Sequence, residues 1–233
     1  MPRRHTTSSV SSIPPETAAT FRRRLHRWYR RHSRDLPWRR TRDPYRILIS
    51  ELMLQQTQVS RVLDFYARFL DRFPDLPTLA SAKPHRVLEA WEGLGYYARA
   101  RNLHKLAREV TEERAGVIPS DPVQLRALPG IGAYTAGAVA SFAYEKRAAL
   151  VDTNVARVLH RVFAPDVAPK SGAGLKRLWQ IAEQLLPRTG KSTWLHNQAI
   201  MELGALVCTA RAPRCGACPV RADCASRERF VEE

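Results

Sequence analysis

Two acidic side chains in this sequence stand among apolar neighbours, and both are candidates for chemistry that moves a proton or balances a positive charge. Glu51 lies in the middle of Arg46-Ile-Leu-Ile-Ser-Glu-Leu-Met-Leu-Gln-Gln-Thr57, which reads as a helix that is apolar on nearly every face. Such a helix belongs in a core. A carboxyl carried there either pairs with an arginine or has its pKa raised, so that at neutral pH it can hold and deliver a proton. Asp152 comes directly after the apolar run Ala148-Ala-Leu-Val151, at the entrance to a helix predicted over 154–163. An aspartate there caps the first turn, a role compatible with a catalytic one. Gln55 and Gln56 end the Glu51 helix, either as amide donors for base edges or as polar caps.

Between the two acids runs Leu128-Pro-Gly-Ile-Gly-Ala-Tyr-Thr135. Pro129 opens a tight connection, and Gly130 and Gly132 bracket Ile131, so the backbone can take positive φ there and come close to a ligand. The helix expected over 134–144 would present unpaired N–H groups at the positive end of its dipole, which suits a phosphate. An ordinary turn and helix cap share the pattern, and the acid one helix later is what gives it weight. A second glycine pair, Gly93-Leu-Gly-Tyr-Tyr-Ala-Arg-Ala-Arg-Asn102, leads into aromatics and arginines. Tyr96 and Tyr97 there suit either stacking on bases or a place in the core.

All four cysteines fall near the end as Cys208, Cys215, Cys218 and Cys224, spaced Cys-x6-Cys-x2-Cys-x5-Cys. Four thiols so close together form a metal-ligand pattern rather than a disulfide framework, which belongs to small secreted domains. A structural zinc ion and an iron–sulfur cluster both take four thiolates, and the spacing leaves the choice open.

The chain has 233 residues, with 38 Lys plus Arg against 22 Asp plus Glu and a net charge of +16. That balance points to a polyanionic partner bound in a salt-dependent way. No apolar run approaches the roughly 20 residues that span a bilayer, which argues against a membrane role. Residues 1–20 have no apolar signal core and read as a disordered basic tail, compatible also with an organellar transit peptide.

The elements that must position these groups read as helices throughout; no stretch has the alternation of a strand, so the fold class is all-α. Residues 17–32 form an amphipathic helix through Phe21, Leu25, Trp28 and Tyr29, with a cationic outer face. With the arginines at 34, 39, 40, 42 and 46 this makes a candidate nucleic-acid contact region. Pro37 ends that helical stretch, and Pro44 sits near the first turn of the Glu51 helix. Further helices are predicted over 59–73, 80–91, up to about 110, 175–186 and 194–207.

The ordered set of motifs resembles the helix-hairpin-helix DNA glycosylases: Ser-Glu-Leu-Met-Leu-Gln-Gln-Thr57, Gly93-Leu-Gly-Tyr-Tyr97, Leu128-Pro-Gly-Ile-Gly132, the following Asp152 and the four-cysteine loop. Within them it is most similar to the MutY family of adenine glycosylases, from about Arg34 to Cys224. The resemblance implies a six-helix barrel module over 46–152 with its helix-hairpin-helix at about 122–144. Residues 21–45 and 153–233 would form a second helical module holding a [4Fe–4S] cluster at 208–224, with zinc as the competitor. It also implies double-stranded DNA containing a mispair as the partner of a monomer, with the target nucleotide flipped out of the stack. The corresponding location is cytoplasmic and nucleoid-associated, or organellar or nuclear in a eukaryote.

Residue by residue, Glu51 matches the acid that protonates adenine and then assists water. Asp152 matches the carboxylate that stabilises an oxocarbenium-like sugar, the division of labour of glycoside hydrolysis. Tyr134 and Asn154 match supporting residues; a lysine at the Tyr134 position would form a Schiff base in bifunctional relatives, so tyrosine implies a monofunctional enzyme. Gln55 and Tyr96 match groups that enter the duplex. Leu36, Trp38, Arg39, Val59 and Gln198 match positions around the base pocket, and Arg34, Gln56, Gly130 and Gly132 complete the expected DNA-contacting set. The implied activity is hydrolysis of adenine opposite 8-oxoguanine or guanine. Members of that family typically continue into a C-terminal domain that reads 8-oxoguanine, whereas this sequence ends nine residues after Cys224, so weaker opposite-base discrimination is expected. Two other readings are a thymine or uracil mismatch glycosylase, whose relatives tend to lack the glutamate, and a DNA-binding module without catalysis.

Overall fold

The computed structural model describes residues 12–230, and every regular element among them is helical. Helix α1 spans Pro15–His32 and buries Phe21, Leu25, Trp28 and Tyr29. It begins at Pro15, two residues before the start expected at 17, so the end of the expected tail is helical; residues 1–11 lie outside the described residues. Helices α2 (Pro44–Leu54) and α3 (Val59–Arg72) come next. The single helix expected over 80–91 is instead two, α4 (Leu76–Ser81) and α5 (Pro84–Trp91). Pro84 has no N–H to continue a helix and takes the first position of the next one.

Then come α6 (Ala98–Glu113), α7 (Pro122–Arg126), α8 (Ala133–Tyr144), α9 (Thr153–Phe163), α10 (Gly172–Leu185) and α11 (Gly190–Leu206). Aspartates start several of them. The Asp43 carboxylate accepts from the Tyr45 and Arg46 N–H groups at α2, and Asp121 accepts from Val123 and Gln124 at α7. None of the helices is long and apolar enough to cross a membrane.

Helix α2 is apolar all round because it is surrounded, by α3, α6 and α8. Burying Leu48, Ile49 and Met53 completely stabilises the fold by roughly 2 kcal/mol each. That helps offset the cost of taking Ser50 and Glu51 inside, and Ser50 Oγ donates back to the Ile47 carbonyl at 2.8 Å. Helices α1 and α9 pack against α11, α10 packs against α9 and α1, and α11 in turn touches α8. A Cβ on Gly204 of α11 would stand 2.7 Å from Asn154 Cβ, so the start of α9 comes this close only because residue 204 has no side chain.

The α7–α8 connection is anchored by buried Leu128 and Ile131. Of its two glycines only Gly130 uses the left-handed region, at φ 76°. Gly132 has φ −87° and is the N-cap of α8, so the positive φ expected at both is needed at one.

Candidate active site

A cleft of about 680 Å³ opens between the α2 and α8 side and the α9 and α11 side, and Glu51, Tyr134, Asp152 and Asn154 all line it. Glu51 is 3 % exposed, and its Oε2 accepts a 2.7 Å hydrogen bond from the Tyr134 hydroxyl. Burial pushes its carboxyl up to about 7; the Tyr134 bond and Arg39 oppose the rise and Asp152 adds to it. The Tyr134 phenol is raised well above its usual range by burial and by both carboxylates, so it stays a donor.

Asp152 is the N-cap of α9, and its Oδ1 accepts from the Val155 N–H at 2.6 Å while Oδ2 accepts from Asn154 Nδ2 at 3.0 Å. Burial raises its pKa, and these bonds and Arg157 pull the other way. Capping and a place in the cleft are held by one side chain, and two neighbouring carboxyls with different hydrogen-bond supplies favour one proton between them.

The walls hold most of the other residues singled out in the sequence. Leu36 and Trp38 are buried beside Val59, with Trp38 edge-on to Tyr66 at 5.4 Å. Arg39 Nε donates to Gln198 Oε1 at 2.9 Å, which commits the Gln198 carbonyl and leaves its NH₂ as a donor. Gln55 and Gln56 stand on the rim, and Gln55 Nε2 donates to Thr135 Oγ1 at 3.3 Å. Tyr96, Gly130 and Gly132 are not part of the cleft lining. Tyr96 and Tyr97 are 60 % and 41 % exposed, so neither belongs to the core.

Part of the basic stretch forms ion pairs within the chain. Arg34 and Arg39 reach the cleft, where both form ion pairs with Glu202 at 2.7 and 2.8 Å. Arg24 pairs with Asp223, Arg40 with Asp35, and Arg42 with Glu145 while lying over the Trp194 ring.

Glu202 is the main site residue that sequence reasoning missed. Its side chain is fully buried, and although burial alone would raise it, the two arginines hold its carboxyl down at about 2. Its signal was there: like Glu51, it is a lone acid in an apolar run, Ala199-Ile-Met-Glu-Leu-Gly-Ala-Leu206. In the sequence Arg157 is no more than part of a helix. In the fold it donates to the Cys208 carbonyl at 2.7 Å, the Gly204 carbonyl at 2.7 Å and Asn154 Oδ1 at 2.7 Å. It therefore ties Asn154, and through it Asp152, to the first cysteine.

The four cysteines line one small apolar cavity with Val158, Val162, Leu203 and Val220. Cys218 is pushed up to about 11 by burial, and the other three thiols add to the rise, as expected of groups gathered close together. Arg161 Nη1 donates to Cys208 Sγ at 3.4 Å. A soft four-thiol set around a shared cavity, with a cation to balance its charge, fits an iron–sulfur cluster.

Known proteins resemble this chain over most of its length. The family model described as "HhH-GPD superfamily base excision DNA repair protein" matches residues 49–184, more than half of the chain. The "iron-sulfur binding domain of endonuclease III" matches residues 208–224, and the cysteines at 208, 215, 218 and 224 fit a [4Fe–4S] cluster. Adenine DNA glycosylases are similar across most of the chain. The Rattus norvegicus protein is 45 % identical over 94 % of this chain and 43 % of its own length. The Mycobacterium tuberculosis protein is 42 % identical over 89 % of this chain and 70 % of its own. The chain thus spans well under half the length of its mammalian relatives. A thermostable thymine-DNA glycosylase superimposes with a TM-score of 0.83 at 31 % identity, covering 92 % of this chain and 98 % of that one. A trapped endonuclease III–DNA covalent intermediate gives 0.79 at 21 % identity, covering 94 % and 100 %, which shows the shared fold.

Proposed function

The chain belongs to the HhH-GPD superfamily of base excision DNA repair proteins, and we propose that it is a monofunctional adenine DNA glycosylase acting on adenine opposite 8-oxoguanine or guanine in duplex DNA. The observation that carries this reading is a buried glutamate whose carboxyl sits near 7, held by a tyrosine in the same cleft as a second carboxylate.

Adenine leaves poorly as an anion, so its departure needs a proton. In the proposed reaction Glu51, half protonated near neutrality, donates to the base at N7. The bond between C1′ and N9 breaks and its electron pair stays with the adenine. The sugar becomes oxocarbenium-like, and ionised Asp152, kept in place by the Val155 and Asn154 bonds, balances the positive charge. Water attacks C1′ and gives its proton to the Glu51 carboxylate, which restores the acid. Tyr134 presents a phenol and no amine, so no Schiff base forms at that position and the abasic strand is left intact. The NH₂ of Gln198, the Trp38 and Leu36 walls and the Arg34–Glu202–Arg39 cluster bound the base pocket. Cys208, Cys215, Cys218 and Cys224 would hold the [4Fe–4S] cluster, which would cross-link the C-terminal loop, and Arg157 links that loop to Asn154.

The similarity to adenine DNA glycosylases supports adenine as the base, and the charge of +16 supports a DNA partner. The 31 % identical thymine-DNA glycosylase favours a second reading, a thymine or uracil mismatch enzyme. Glu51 weighs against it, because protonating the leaving base is the part that adenine requires. Release of free base from A:8-oxoguanine, A:G, T:G and U:G duplexes, read with and without alkali, separates the two.

A further inference from the structure

Arg99 of α6 is 9 % exposed, and its guanidinium is directed almost wholly at backbone. Nη1 donates to the carbonyls of Leu52 at 2.8 Å, Met53 at 3.0 Å and Gln55. Nη2 donates to the carbonyl of Gly95 at 3.1 Å and to Thr57 Oγ1 at 3.2 Å. The first group lies at the end of α2, where carbonyls lack helical partners. The second includes the turn before α6. Two turns about 40 residues apart in sequence therefore share one cation.

Each turn displays an exposed side chain on left-handed backbone, Gln56 at φ 56° and Tyr96 at φ 50°. Such backbone is uncommon away from glycine and persists where the surroundings over-determine it, often at a working site. Arg99 also lies 5.3 Å from the Tyr96 ring and 5.5 Å from the Trp91 ring, and Trp91 Nε1 donates to the same Gly95 carbonyl at 3.2 Å.

We propose that Arg99 is a positioning residue that locks the Gln55–Gln56 turn and the Gly95–Tyr96 turn into one rigid two-pronged wedge, which enters the duplex as the target nucleotide is extruded. The inference rests on the glycosylase reading. Prying a base from its stack requires prongs that hold their shape on contact, and a pre-organised pair loses no ordering entropy at that moment. The planar five-donor fork of arginine reaches both turns at once, whereas a lysine ammonium is a single point. Arg99 is absent from the cleft lining, and its bonds go to backbone carbonyls and Thr57 rather than to the Glu51 carboxyl.

The test places 2-aminopurine at the target position and follows its fluorescence in stopped flow, with Glu51→Gln as the common background so that extrusion is seen without bond cleavage. Arg99→Lys and Arg99→Met are compared with the parent well below each protein's melting temperature. Both are expected to bind the duplex and extrude slower, on the order of 10-fold or more. With Glu51 restored, both are expected to keep the parent pH midpoint for excision. A double-mutant cycle of Gln56→Ala and Tyr96→Ala is expected to show coupling in the extrusion rate when Arg99 is present and none in the Met background. Extrusion at the parent rate in Arg99→Lys, or coupling that survives Arg99→Met, overturns the proposal. Should Arg99→Met fail to fold, the Lys variant carries the decision. A parent that binds the duplex without any fluorescence change overturns the glycosylase reading itself, and the wedge with it.

Discussion

The Tyr134 hydroxyl donates to Glu51 Oε2 at 2.7 Å, across 83 residues of sequence, and it is the side-chain hydrogen bond that steadies the buried acid. Without it, burial meets less opposition and the Glu51 carboxyl rises further. Tyr134→Phe is expected to move the falling limb of the single-turnover pH profile from about 7 to higher pH. The maximal rate should drop about 10-fold as the acid loses its orientation. A limb that stays in place with an unchanged rate would remove Tyr134 from the account.

The same raised carboxyl costs stability. Its pKa in the folded chain, about 7, lies above that in the unfolded chain. The protonated acid is therefore tolerated below the unfolded value, and stability is lost as pH rises through 7. Glu51→Gln is expected to melt higher than the parent at pH 8, by on the order of 1–3 kcal/mol, with the gap closing toward pH 5. Calorimetry at the two pH values checks this; equal gaps would place Glu51 in an ordinary solvated or fully paired setting.

Arg157 joins the Cys208 carbonyl to the Asn154 side chain that holds Asp152. Arg157→Gln is expected to slow single-turnover excision by roughly 10–100-fold. It should also lower the iron and sulfide content of the purified protein, because both ends of the link lose a partner. Full cluster content together with full activity would show that the two sites are independent.

Gly130 has φ 76°, and a Cβ there would stand 2.7 Å from Asn102 Cβ. Gly130→Ala is therefore expected to destabilise the chain by about 1–2 kcal/mol. It should also weaken binding to matched and mispaired duplexes alike, because a phosphate contact carries no sequence information. Weakening confined to mispaired DNA would place the hairpin at the lesion instead.

The features legible in the sequence are those that rest on local pattern. Glu51 stands out as a lone acid on a helix without a polar face, the cysteines by spacing, and Asp152 by its place between an apolar run and a helix start. Glu202 carries the same mark as Glu51. Its arginine partners lie 168 and 163 residues away, however, and no local pattern pairs groups over that distance. The arginines between residues 22 and 46 stand out as charge, but charge alone does not say which of them, like Arg34 and Arg39, take their counter-charge from the chain. Arg99 is invisible for a related reason: its partners are backbone carbonyls, which every residue has.

The most direct test of the central claim is single-turnover release of base from duplexes containing A:8-oxoguanine, A:G, T:G and U:G, using the parent and Glu51→Gln and treating half of each sample with alkali. The account predicts that the parent releases adenine from A:8-oxoguanine and A:G, that strand breaks appear mainly after alkali, and that Glu51→Gln releases almost none. Release of thymine or uracil with adenine retained, or adenine release undiminished in Glu51→Gln, would contradict it.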